Sequence, residues 1–63
     1  MDIEAETQRI QAFVADGNFH AAINIALSAL NECRRNHDQA GIDVFLQIIQ
    51  DIVTTLKTTY GSD

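Results

Sequence analysis

Sixty-three residues, 46% of them hydrophobic and 21% charged, describe one small folded domain, too apolar for a disordered segment and too short for two cores. The net charge of −5, with only four cations, Arg9, Arg34, Arg35 and Lys57, argues against the clustered positive surface that a phosphate backbone or an anionic membrane requires. One cysteine rules out an internal disulfide, and one cysteine with two histidines falls short of a four-ligand zinc site.

Proline is absent, and Gly17, Gly41 and Gly61 stand where periodic apolar segments begin or end. The first predicted helix runs from about Ile3 to Ala15. Asp2 is its N-cap, Glu4 and Glu6 suit the positive end of the dipole, and Ile3, Ile10, Phe13 and Val14 form its apolar stripe. Asp16-Gly17-Asn18 is a turn, because glycine accepts the left-handed conformation that ends one helix and asparagine can cap the next.

The second predicted helix spans about 19–35. It carries Phe19, Ile23, Ala26, Leu27, Leu30 and Cys33 on one face, with Ala22, Ile25 and Ala29 on an adjoining one. So wide an apolar arc fits a central helix touching two neighbours. Arg34 and Arg35 close it, and Asn36-His37-Asp38 connects it to the third helix, so that the second and third form an antiparallel hairpin.

That third helix begins at Gln39 to Gly41 and ends at Thr59, about 40–59. Ile42, Phe45, Leu46, Ile49, Ile52, Val53, Leu56 and Tyr60 recur mostly three and four apart along it. Val44 and Ile48 lie off this stripe, and with Ile25 they exceed the apolar surface a three-helix monomer covers, which points to an oligomer or a docked partner. The last turn is rich in threonine and depends on packing. Gly61-Ser62-Asp63 is expected to fray.

Gly17-Asn18-Phe19, followed by Ala22, Ile23, Ala29 and Leu30, resembles the turn and second helix of a tetratricopeptide repeat, in which small residues after the turn let two helices pack closely. Phe13 falls where the first helix of that repeat has an aromatic. The resemblance covers one turn and one helix. Glu6, Arg9, Ile10 and Arg34 depart from the repeat pattern, and Ala40 and Asp43 stand where a second repeat in register would have an aromatic and a leucine. What the resemblance implies is therefore a helix-turn-helix unit. The three-helix microtubule-interacting and transport domain is similar in shape. In size, acidity and helical make-up the chain is also similar to the small co-chaperones of bacterial type III secretion, which implies an exposed helix face that holds another protein.

Cys33 and His37 have the four-residue spacing of two ligands on a helix, with His20 and Asp38 as further donors. A closed site takes four ligands, so the expectation is no metal: Cys33 as a small core residue, His37 as a polar residue at a helix end. Cys33 with a histidine is also the minimum of a nucleophile and base, but so small a bundle has little room for a cleft or an oxyanion pocket. No enzyme and no cofactor are expected. The carboxylates are dispersed as caps and solvated faces, and the four aromatic residues read as core or interface anchors.

The sequence thus describes a single all-α domain over 1–63: a short N-terminal helix and an antiparallel hairpin, oligomeric. Its expected role is that of an adaptor-like or chaperone-like interaction module that binds itself or a helical partner. The expected contacting or core-sharing residues are Ile25 and Ala29 of the second helix and Val44, Phe45, Ile48, Ile49, Ile52 and Val53 of the third. Acidic residues where a secretory leader would be basic, and no apolar run of membrane-spanning length, give the expectation of a cytoplasmic protein. The alternative is a dimeric regulator that gathers Arg34, Arg35 and Lys57 against nucleic acid by duplication.

Overall fold

The computed structural model describes residues 1–61 and contains three helices, α1 (Ile3–Ala15), α2 (Phe19–Arg35) and α3 (Gln39–Tyr60), with no strand among them. The expected boundaries hold for the first two helices, while α3 is one residue longer at each end than the expected span of 40–59. Ser62 and Asp63 of the expected frayed end lie outside the described residues. Gly61 has extended backbone, and its N–H donates to the Lys57 carbonyl at 3.0 Å.

Each helix opens on a short polar side chain that accepts from the first turn. The Asp2 carboxylate takes the amides of Glu4 and Ala5 at 3.1 and 3.2 Å. Asn18 takes that of Ala21 at 3.2 Å, and Asp38 that of Gly41 at 3.0 Å. These bonds satisfy amides that have no partner within the helix.

The two links are built alike. In the first, the Gly17 amide donates to Val14 O and the Asn18 amide to Phe13 O; in the second, His37 donates to Arg34 O and Asp38 to Cys33 O. This is the Schellman ending, which needs one residue in the left-handed region. Gly17 supplies it at φ 77° and His37 at φ 55°. The residue that closes each turn, Asn18 or Asp38, also caps the next helix, so three residues suffice per link and successive helices return as hairpins.

His37 is the one described residue other than glycine with positive φ, a conformation that costs an L-residue about 1–2 kcal/mol. His37→Gly is therefore expected to raise stability by about 1 kcal/mol, read as a higher urea midpoint at unchanged slope.

Helix α2 is central: it packs against both α1 and α3, whereas α1 and α3 scarcely touch. The buried core is Ile10 from α1, Ala22, Ala26, Ala29, Leu30 and Cys33 from α2, and Phe45 and Ile52 from α3. Alanines on the middle helix let its neighbours approach closely, and the outer helices supply most of the bulk. Because α1 and α3 both lean on α2 and not on each other, the molecule is elongated, 38 × 21 × 14 Å. Its radius of gyration is 11.9 Å, against roughly 10.6 Å for a compact chain of this length.

The hairpin is tightly packed at Gly41, where a Cβ would stand 2.5 Å from Cys33 Sγ and 2.9 Å from an Asp38 carboxylate oxygen. Gly41→Ala gains helix propensity of up to about 1 kcal/mol but forces a buried neighbour to move, so a net loss of about 1–3 kcal/mol is expected. Cys33→Ala in the same chain should return much of that loss. A double-mutant cycle on urea midpoints reads the coupling.

Candidate functional site

Three surface features follow from this packing. The first is a groove of ≈ 170 Å³ between α1 and α3, lined by Ile10, Gln11, Val14, Ile48, Asp51, Ile52 and Thr55. Its floor is apolar, since Ile10 and Ile52 are buried and Val14 and Ile48 half-buried. Its one charged lining residue is Asp51, whose carboxylate accepts from Gln47 Nε2 at 2.9 Å, while Thr55 Oγ1 donates to the Asp51 carbonyl at 2.9 Å.

The second is an apolar flank on the far side of the hairpin. Leu46 and Val53 of α3 are 43% and 44% exposed, Tyr60 is 70% exposed, and Leu27 of α2 is 43% exposed. On α3 the three recur every seven residues, close to two helical turns, and so lie along one line. Tyr60 closes the row with its ring edge-on to Phe19, centroids 6.3 Å apart at 81°, a favourable aromatic geometry. The third feature is a polar recess between α1 and α2, lined by Glu6, Arg9, Asn24, Ile25 and Ser28, in which Arg9 and Glu6 form an ion pair at 3.3 Å.

The expected contact residues are distributed across these features. Ala29, Phe45 and Ile52 are buried in the chain's own core; Ile25, Ile48 and Ile49 are half-buried against it. Val44, at 38%, and Val53 are exposed, but nine residues of helix place them about 180° apart around α3. The eight do not form one face. Ile48 belongs to the groove, Val53 to the far flank, and Ile25 to the polar recess. Leu27, Leu46 and Tyr60, read from the sequence as part of the core stripes, are instead the outer apolar residues of the far flank.

Chemistry-bearing residues are separated or enclosed. Cys33 is buried beneath Gly41. Burial, followed by the negative charges of Asp38 and Glu32, pushes its thiol above the usual range despite the opposing N-terminal charge, which makes thiolate scarce at neutral pH. His37 lies past the end of α2, so it does not share a helix face with Cys33 as their spacing suggested. Among the described residues no three His, Cys, Asp or Glu side chains gather as metal ligands. Arg34 and Arg35 close α2 beside the start of α3, whereas Lys57 sits near the end of α3, about 27 Å away along that helix. One copy of the chain therefore does not gather the three cations.

No described helix is long and apolar enough to cross a membrane. Compared with known proteins, the chain matches no family model, no curated sequence and no solved structure.

Proposed function

We propose that this chain is a small acidic protein–protein interaction module of the adaptor or co-chaperone type, working in the cytoplasm without catalysis and without a cofactor, by burying an apolar helix face against itself or a helical partner. The observation that carries this reading is the far flank of the α2–α3 hairpin, where Leu27, Leu46 and Val53 each remain at least 43% exposed. Large aliphatic side chains aligned on two adjacent helices favour burial by another helix, at about 25 cal/mol per Å² of apolar surface removed from water. The likeness of the first turn and second helix to a tetratricopeptide unit, and the general likeness to secretion co-chaperones, accord with this role.

The test is sedimentation of the chain across a concentration series, with helicity followed by circular dichroism, beside a Leu46→Glu, Val53→Glu double variant. The expected result is a mass that rises with concentration in the native chain and stays at 7.0 kDa in the variant, with the same helicity in both. If the two chains behave identically, and neither self-associates nor binds amphipathic helical peptides, the reading is wrong.

A further inference from the structure

We infer that the occupant of the far flank is a second copy of this chain, packed antiparallel along α3 about a two-fold axis beside Gln50. This inference rests on the interaction reading above and commits it to one partner, one face and one register.

The exposed residues along this side of α3 follow heptad spacing, polar and apolar in alternation. Asp43, Leu46, Gln50, Val53, Lys57 and Tyr60 are separated alternately by three and four residues, the spacing with which one helix presents a continuous edge to another. All six are exposed; Tyr60 meets Phe19 edge-on at one end, and the stretch from Asp43 to Lys57 is open to solvent. The flanking row of Ile42, Ile49 and Leu56 is half-buried against the core, so the edge stands on a firmly held helix.

The order of residues along the seam selects the partner. Asp43 and Lys57 lie seven residues either side of Gln50, and Leu46 and Val53 lie four before it and three after it. The pattern is nearly self-complementary on reversal. A copy turned about an axis beside Gln50 sets Leu46 against Val53 of the other chain and Asp43 over Lys57 of the other chain, each pairing occurring twice. An isologous interface requires this property. A parallel copy in register would instead set Asp43 against Asp43 and Lys57 against Lys57, juxtaposing like charges.

Both charges are available. Among the described residues Lys57 makes no ion pair, and the Asp43 carboxylate accepts from the Gln39 amide at 2.9 Å. In an antiparallel pair, residues on the same flank of each helix face one another, which keeps Asp43 and Lys57 on one side of the seam. Gln50 meets its own copy at the axis, where a polar side chain opposes slippage of the register. A single seam of this length makes a small interface, so the dimer should be weak and reversible.

The experiment combines charge exchange with site-directed cross-linking in the full chain. Asp43→Lys and Lys57→Glu are each expected to weaken the dimer by about three- to tenfold, and the two together to restore it, as read by sedimentation equilibrium with helicity as the folding control. Gln50→Cys should oxidise to a covalent dimer, whereas Gln11→Cys, in the groove between α1 and α3, and the native chain with its buried Cys33 should not. Cross-linking through Gln11→Cys in place of Gln50→Cys would overturn the inference while leaving a self-binding module. Failure of the doubly exchanged chain to recover would overturn the register. A native chain that stays monomeric at all concentrations would overturn the dimer altogether, and the interaction reading would then depend on binding to helical peptides.

Discussion

Phe45→Ala is expected to leave the chain unfolded at room temperature. Phe45 is fully buried, and it shares one cluster with Ala22, Ala26 and Ala29 of α2. Those neighbours are too short to fill the space its ring would vacate. Truncating a buried phenylalanine costs about 3–5 kcal/mol, and the single core of a domain this short rarely supplies more than about 3–5 kcal/mol of stability. The substitution therefore consumes most or all of the margin. Far-UV circular dichroism and a urea titration read the outcome: loss of the cooperative transition is expected for Phe45→Ala, whereas Phe45→Leu, which keeps much of the volume, should retain it at a lower midpoint. A Phe45→Ala chain with near-native stability would mean that the core is organised around other residues.

Ile10→Ala is expected to be the other severe change, with a different signature. Ile10 is the only buried residue of α1, fully enclosed at the floor of the groove beside Ile48 and Ile52. Replacing a buried isoleucine by alanine costs about 2–5 kcal/mol. Because α1 scarcely touches α3, the loss falls on the packing of α1 against α2. Hydrogen exchange should show α1 opening first, with amide protection over Ile3–Ala15 falling more than protection in α3, since local stability follows the density of buried contacts. Equal loss across all three helices would show that the chain opens only as a single cooperative unit.

Helix number, order and ends were legible in the residues because they are set by local requirements. Asp2 and Asn18 accept amides left unpaired at a first turn, Gly17 supplies the left-handed residue that ends α1, and the three-to-four spacing of Ile42, Phe45, Ile49, Ile52 and Leu56 marks the inward side of α3. Even the central place of α2 was readable from the width of its apolar arc. These signals reach no further than a few residues along the chain, which is why a sequence carries them openly.

What the sequence could not decide was which of the extra apolar residues would be covered. Helix α3 has an apolar flank on either side of its inward stripe, Val44 and Ile48 on one and Leu46 and Val53 on the other. Periodicity assigned the second pair to the core, but the structure leaves it exposed. The choice depends on how α3 is rotated against α2, and that rotation goes with the close approach of Gly41 to Cys33 and the alanine row of α2, contacts between residues distant in the chain. Composition and period determined that this protein would be three helices around a small core; only the packing of one helix on another decided which apolar face stayed exposed.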